Sequence, residues 1–158
     1  MQENGNLKIT FANNEQAAAA YPIVEKALKN YKWWSKALEC IENVIRVEPD
    51  IHMSTSNYPG LVLDICKDIA SQNINTEFTV EANCGDDEGF YYCGEEGYFK
   101  QQMFFFESTT TTTTMEEPDF DEMDEDDLID WDPFDSAEEQ TETVITKGKV
   151  VDGKLIFE

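Results

Sequence analysis

The feature that most limits how this chain can fold is an acidic tract, Glu116 to Glu142. Its 27 residues include 15 Asp and Glu and no Lys or Arg. Repulsion between so many like charges opposes compaction, so the tract is expected to be extended and solvated rather than part of a hydrophobic core. The folded core must therefore come from the residues on either side of the tract.

Apolar side chains interrupt the acids of this tract, which is typical of a docking peptide rather than a tail that only aids solubility. In the segment 127–135 the acids would steer the chain to a basic surface, and the apolar side chains would fill pockets there. Two alternatives are that the segment packs on its own domain or is a charged linker. The predicted partner-binding residues are Asp119, Asp121, Glu122, Asp124, Glu125, Asp126, Asp127, Leu128, Ile129, Asp130, Trp131, Asp132, Phe134 and Asp135.

The net charge of the whole chain restricts its partners. With 34 acids against 11 bases, the formal charge is -23. Direct binding to nucleic acid or to an anionic membrane is disfavoured, because both depend on Lys and Arg. A basic protein, such as one that binds nucleic acid, is the predicted partner. The N-terminus lacks a signal-peptide pattern and no window approaches 18 apolar residues, so a cytoplasmic location is predicted.

Before the tract, apolar periodicity predicts an α+β domain over residues 1–107. The segment Trp33 to Asn43 is ambiguous between helix and strand, and Ile51 to Ser56 alternates only weakly. The predicted strands are Leu7 to Phe11, Val44 to Glu48, Ile74 to Ala82, Phe90 to Cys93 and Tyr98 to Glu107, with a tight turn at Gly94 to Gly97. The predicted helices run from about Asn14 to Asn30 and from about Asn57 to Gln72; Pro22 either kinks the first of them or moves its first turn to Tyr21.

The remaining chain divides into a spacer and a hairpin. Ser108 to Thr114 reads as a low-complexity spacer, although the β propensity of threonine allows the preceding strand to continue a little. Residues 108–142 thus form the spacer and the acidic segment. Residues 143–158 are predicted to form a β-hairpin around Asp152-Gly153, a strong turn signal, and to join the sheet of the main domain.

The element order over residues 7–107, with hairpin glycines at Gly89, Gly94 and Gly97, resembles the ferredoxin-like domain in small proteins of phages and plasmids. This resemblance implies a split βαβ sandwich, in which two main helices cover one face of a mainly antiparallel sheet. The acidic segment and the C-terminal β-hairpin lie outside the resemblance.

Catalytic and metal-binding patterns are missing from the sequence. The tract has no turn glycine for a calcium loop, and neither the cysteines nor the single histidine, His52, has zinc-ligand spacing. No nucleophile elbow or phosphate loop is present. We therefore predict no enzyme, no metal and no cofactor. A secondary acidic patch is predicted on two hairpin loops, where carboxylates are normally solvated, from Asp86, Asp87, Glu88, Glu95 and Glu96.

The remaining reactive and aromatic residues have ordinary structural interpretations. Cys40 and Cys66 are predicted to be buried thiols. Cys84 and Cys93 flank a hairpin loop and could face each other, but a cytoplasmic location argues against a disulfide. The Trp33-Trp34 pair is predicted to pack in the core, with a base-stacking platform as the alternative.

These observations predict a non-enzymatic binding protein that acts as a decoy or inhibitor on a basic, nucleic-acid-binding surface. In size and charge the chain resembles small mobile-element inhibitors of host defence. The alternative is an adaptor whose acidic-aromatic peptide docks on a replication or gene-expression partner; acidic tails ending in Pro-Phe on bacterial single-stranded-DNA-binding proteins look similar. The tract 116–142 is expected to be dispensable for folding and required for function.

Overall fold

The structure, a computed structural model, describes residues 3–29, 38–47, 58–86, 90–115 and 137–158. Within these ranges the chain forms two helices and eight strands. In chain order the elements are β1 Glu3–Phe11, α1 Asn14–Lys29, β2 Leu38–Ile41, β3 Val44–Val47, α2 Tyr58–Gln72, β4 Phe78–Asp86, β5 Tyr91–Lys100, β6 Met103–Met115, β7 Ala137–Val151 and β8 Lys154–Phe157.

All eight strands belong to one sheet in the order β2-β3-β1-β4-β5-β6-β7-β8, and every neighbouring pair is antiparallel. Both helices pack on the same face of the sheet, here called the inner face, where one cluster of buried side chains holds them. The opposite face is called the outer face. Neither of the two helices is long and apolar enough to cross a membrane.

The first helix begins at Asn14, where capping by Asn13 predicts it, and not at Tyr21. The side-chain Oδ1 of Asn13 accepts a hydrogen bond from the backbone N of Gln16 at 2.9 Å, which caps the first turn. Pro22 lies inside the helix and is exposed. The buried stripe recurs at helical spacing and faces the sheet. Its fully buried members are Ala17, Ala20, Val24 and Leu28.

A row of phenylalanines crosses the inner face and joins the C-terminal strands to the core. Each residue of the row is in register with the next across β1, β4, β5, β6, β7 and β8. Gly148 leaves room in the row, because a Cβ there would lie 3.1 Å from the Phe157 ring. The rings of Phe104 and Phe157 therefore meet edge-on with centroids 5.6 Å apart. The row consists of Phe11, Phe78, Phe99, Phe104, Gly148 and Phe157.

The prediction of a ferredoxin-like split βαβ sandwich is wrong, because the described residues form a strand-rich fold with a single eight-stranded antiparallel sheet and two helices. Half of that sheet, β5 to β8, follows the last helix-flanked strand and extends the sheet sideways. The extension is stable since its inner-face aromatics continue the same core. Cross-strand aromatic pairs of this kind stabilise a sheet. The order of elements along the chain does not reveal which aromatic residues will pair across strands.

The predicted strand from Ile74 to Ala82 is displaced along the chain. Strand β4 begins at Phe78 and continues to Asp86. The preceding residues form a turn in which the backbone N of Thr76 donates to the carbonyl oxygen of Asn73 at 3.0 Å. Thr76 is nevertheless buried. A residue can therefore follow the alternation of a strand without belonging to it.

The turn predicted at Gly94 to Gly97 is also wrong, because these residues lie in the middle of β5. The chain turns instead at Gln101 and Gln102, whose φ angles are 54° and 65°. Two consecutive positive φ angles are typical of a two-residue hairpin turn that usually contains Asn and Gly. No turn was predicted here, since glutamine rarely adopts this conformation.

Replacing the Gln101-Gln102 pair by Asn-Gly should therefore stabilise the protein. A residue other than Gly, Asn or Asp costs roughly 1 kcal/mol in this conformation, so we expect a gain of about 1 kcal/mol in the free energy of unfolding. Urea unfolding measures this gain. The same two substitutions at Lys154 and Leu155, which follow the Asp152-Gly153 turn, should not stabilise the protein. A loss of stability in the Gln101-Gln102 variant would contradict the turn assignment.

Candidate functional site

The longest strand pair of the sheet leads to the acidic tract. Strands β6 and β7 are paired from Met103 and Lys149 to Met115 and Ala137. The neighbouring strand, β5, pairs with β6 as far as Tyr91, opposite Thr112, and a hydrogen bond from the backbone N of Thr113 to the carbonyl oxygen of Phe90 continues this contact by one residue among those described. The end of the β6–β7 pair thus extends past β5. Residues 108–115 and 137–144 are here called the ribbon, and its end at Met115 and Ala137 is called the tip.

Threonine chemistry explains why the ribbon forms. The hydroxyls of Thr109 and Thr143 lie 3.3 Å apart, and those of Thr111 and Thr141 lie 3.2 Å apart. Both pairs are cross-strand neighbours, and β-branched side chains favour extended backbone. The run predicted as a spacer is therefore strand up to the tip. Residues 137–142, predicted as part of the extended tract, belong to β7.

The ribbon is itself acidic. Glu138, Glu139 and Glu142 are exposed along β7, and neither strand of the ribbon contains a Lys or Arg. Their partners in register on β6 are threonines. The ribbon therefore continues the negative charge of the tract into the folded sheet.

The tract residues proposed to bind a partner, Asp119 to Asp135, lie outside the described residues. His52, Trp33 and Trp34 also lie outside them. The structure does place the two ends of the 116–136 segment, because Met115 and Ala137 are partners in register. The segment 116–136 is consequently an excursion from the tip of the ribbon.

The secondary acidic patch is not one surface. Glu95 lies on the inner face of β5 and is 1% exposed, whereas Glu96 points to the outer face and is exposed. Neighbouring residues of a strand alternate between faces. The sequence predicted Glu95 and Glu96 on one surface because it placed both residues in a turn. Asp87 and Glu88 lie outside the described residues, and only the backbone of Asp86 is described.

Glu95 is the one buried carboxylate among the described residues. The thiol of Cys93 donates to its Oε1 at 3.5 Å, and Oε2 has no hydrogen-bond partner in the described part of the chain. Burial raises the pKa of the Glu95 carboxyl to about 8, which the Cys93 hydrogen bond only partly opposes. Glu95 is therefore largely protonated at neutral pH.

Two cysteines, Cys66 and Cys93, lie near this carboxyl, and their surroundings disfavour the thiolate form. Burial, and then the nearby Glu95, raise the pKa of the Cys66 thiol. Burial also raises the pKa of Cys93, although hydrogen bonds with Ser108 and Thr110 partly oppose this. Since the thiolate is the nucleophile, these thiols are unreactive at neutral pH.

The cysteine predictions have different outcomes. Cys66 is buried as predicted, but Cys40 is exposed, so the prediction for Cys40 is wrong. Cys84 and Cys93 are direct partners across β4 and β5, and neither forms a disulfide. Among the residues that the structure describes, no three His, Cys, Asp or Glu side chains lie close enough to hold a metal ion.

The ribbon was missed at the sequence level, and so was the burial of Glu95. The alternation Thr141-Glu142-Thr143 is a short strand signal, but the high charge of the tract favoured an extended, solvated segment there. No known protein-family model, curated protein or solved structure matches this chain. Functional inference therefore rests on the geometry of the ribbon and on its charge.

Proposed function

We propose that this chain is a non-enzymatic acidic binding protein of the cytoplasm. It acts as a decoy or inhibitor that occupies a basic, nucleic-acid-binding surface of a partner protein. The observation that supports this proposal most directly is the presentation of the tract. The residues that flank its 116–136 segment, Met115 and Ala137, meet at the tip of a ribbon that is itself acidic, past the described end of β5.

Charge is the physical basis of the proposed interaction. The segment 116–136 holds 12 Asp and Glu, and Glu138, Glu139 and Glu142 continue this charge along the ribbon. Carboxylates spaced along an extended chain can replace the phosphates that a basic surface ordinarily binds. Long-range attraction would also speed encounter at low salt. Binding should weaken as the ionic strength rises.

An adaptor function is the second candidate, and the apolar residues of the tract favour it. Under this interpretation Trp131 and Phe134 carry specificity by filling pockets on a replication or gene-expression partner. Replacing both with Ala should then abolish binding. Under the decoy proposal, neutralising Asp124 to Asp127 should weaken binding more than removing the two aromatics.

The test is affinity capture at increasing salt, followed by titration of the captured protein. The variant Glu138→Gln/Glu139→Gln/Glu142→Gln should weaken the measured affinity about tenfold, if the three charges together contribute roughly 1.4 kcal/mol. The matched control, Glu42→Gln/Glu77→Gln/Asp68→Asn, removes the same charge from exposed positions away from the ribbon. It should bind like the unmodified protein.

Three results would overturn the decoy proposal. One is that all captured proteins are acidic, and another is that binding does not respond to salt. The third is that competing nucleic acid fails to displace the protein from the captured partner. Equal weakening in the ribbon variant and in its control would show that only net charge matters, and would remove the role assigned to the ribbon.

A further inference from the structure

One side of strand β7 is open over most of its length. Strand β8 pairs with β7 only from Gly148 to Val151, and the backbone N of Glu158 continues this contact by donating to the carbonyl oxygen of Lys147 at 2.8 Å. Residues 138–146 have β6 on one side and, among the described residues, no strand on the other. This stretch of β7 is here called the open edge.

The backbone groups that point outward from the open edge follow from alternation. The backbone N of Val150 donates to the carbonyl oxygen of Gln102, next to β6, at 2.9 Å, whereas the carbonyl oxygen of Lys147 accepts from the β8 side. In an antiparallel pair, successive residues direct their N–H and C=O groups to opposite sides of the strand. The residues whose backbone points away from β6, here called the outward residues, are therefore Glu139, Thr141, Thr143 and Ile145.

The open edge lacks the features that usually prevent a sheet from adding another strand. Its register with β6 is continuous, so no bulge twists it away, and residues 138–146 include no proline or lysine. Val144 and Ile145, on opposite faces, are 53% and 51% exposed. At about 3.4 Å per residue the open edge is about 30 Å long, the length of a strand of nine residues.

The charges along the open edge determine what can pair with it. Its charged residues are Glu138, Glu139 and Glu142, all of them exposed. Like charges directly opposite each other destabilise a sheet, so pairing with the open edge of a second copy would bring the glutamates of both copies together. The net charge of -23 on each copy adds to this repulsion. A strand that carries Lys or Arg is favoured by the same rule.

We infer that the open edge binds an extended, basic segment of the partner protein, which adds to the sheet as a further strand. This inference rests on the proposed function, because the basic character of the partner comes from it. Every strand pair of the sheet is antiparallel, and the added strand would run antiparallel to β7, in line with β8. Main-chain hydrogen bonds would supply affinity, and side chains would supply specificity.

An antiparallel strand would place its two ends in different surroundings. Its first residues would lie opposite Val144 and Ile145, where β-branched side chains fit. Its last residues would lie opposite the glutamates and end near the tip, from which the segment 116–136 departs. The open edge would thus align the partner, and the tract would contact its basic surface beside the tip.

The first test measures amide hydrogen exchange in the whole chain with a defined probe. The probe is the end-blocked peptide Thr-Val-Val-Thr-Lys-Thr-Thr-Lys-Lys, whose lysines lie opposite Glu142, Glu139 and Glu138 in antiparallel register. In the free protein the outward residues should exchange quickly, whereas Gln140, Glu142 and Val144, which point to β6, should exchange slowly. Saturating peptide should slow exchange at the outward residues at least about tenfold and leave the others unchanged.

Two methylated peptides separate strand addition from attraction between charges. N-methylation at the second, fourth, sixth and eighth residues removes the N–H groups that would face the outward residues. This peptide should bind at least about tenfold more weakly than the probe in a titration. The matched control is methylated at the third, fifth, seventh and ninth residues, whose N–H groups would face away from β7. It has the same side chains and charge, and it should bind like the probe.

A substitution in the protein extends the test to the captured partner. Ile145→Pro removes an outward N–H without removing a hydrogen bond to β6, which an edge strand tolerates. It should weaken binding of the probe and of the captured partner at least about tenfold. Ile145→Thr keeps the N–H and a β-branched side chain, and it should bind like the unmodified protein. Thermal unfolding checks the fold of both variants, and the methylated peptides decide the question if Ile145→Pro does not fold.

Several results would overturn the inference. These are a probe that does not bind, equal binding of the two methylated peptides, and protection that does not alternate along β7. Slow exchange at the outward residues without peptide would also overturn it, by showing a second copy on the open edge if the slowing depends on protein concentration, or another segment of this chain if it does not.

Failure of this inference can be distinguished from failure of the proposed function. A basic partner that binds Ile145→Pro as tightly as the unmodified protein would remove the open edge from the interaction and leave the decoy proposal in place. Absence of any salt-dependent capture of a basic protein would overturn the decoy proposal. The exchange and titration results with the peptides would still decide whether the open edge accepts a basic strand.

Discussion

Between pH 4.5 and pH 8 the unmodified protein should lose about 4 kcal/mol of its free energy of unfolding, because Glu95 ionises. Replacing Glu95 by Gln should abolish this loss. The effect is large because the carboxyl is buried in the core between β5 and α2, beside Cys66 and Cys93. Ionising it there would leave a charge with only a weak thiol donor.

The sign follows from proton binding. Burial raises the pKa of Glu95 from 4.5 in the unfolded chain to about 8 in the folded state. Between these values the folded state binds more protons than the unfolded state, so the free energy of unfolding decreases as pH rises. The contribution is fully present below pH 4.5 and is lost as the pH rises through about 8.

Urea unfolding at pH 4.5 and at pH 8 tests this expectation for the unmodified protein and for Glu95→Gln. A buried amide adds a cost of its own, but that cost is independent of pH and cancels in the comparison. Glu96→Gln, at the exposed neighbouring position, is the matched control and should keep the pH dependence of the unmodified protein. Equal pH dependence in the Glu95→Gln variant and the unmodified protein would show that the carboxyl is solvated.

Gly97→Ala should destabilise the protein by about 3 kcal/mol, an overpacking cost at the upper end of the usual range. A Cβ at Gly97 would lie 2.6 Å from the backbone carbonyl oxygen of Phe105 and 3.0 Å from the Phe106 ring. The first of these neighbours is backbone in a paired strand and cannot rotate away. Relief would require β5 and β6 to separate, or the buried Phe106 ring to leave its place.

Gly94→Ala provides the comparison on the same strand. A Cβ at Gly94 would meet only the Tyr92 side chain, at 3.4 Å or more, and that side chain is exposed and can move. Its effect should stay within about 0.5 kcal/mol of the unmodified protein, because the lower entropy of the unfolded chain offsets minor crowding. Thermal unfolding of the two variants should therefore differ clearly. Similar midpoints would mean that the Phe106 ring does not lie over Gly97.

The two glycines also show why the sequence misplaced the hairpin. Gly94 and Gly97 enclose two acids, a pattern that favours a turn. In the structure Gly97 is needed for the approach of Phe106, which lies nine residues further along the chain on the next strand. A local pattern cannot distinguish a glycine that turns the chain from one that accommodates a ring across a strand.

Elements whose signals lie within a few neighbouring residues were predicted well. The helix capped at Asn13 and the hairpin around Asp152-Gly153 formed at their predicted positions. The φ angles of Asp152 and Gly153, 51° and 76°, are those that the dipeptide favours. Propensity, capping and turn chemistry act over a single turn, so the sequence alone contains them.

The sequence by itself therefore determined the net charge and those elements whose signals are local, such as the capped first helix and the Asp152-Gly153 hairpin. Only the tertiary structure decided which strands became neighbours, that Thr109 and Thr111 would pair with β7, and that Glu95 would be buried while Glu96 remained exposed. The physical reason is that burial and cross-strand pairing depend on residues distant in the chain. Strand register assigns each side chain to a face, and a shift of one residue reverses every assignment.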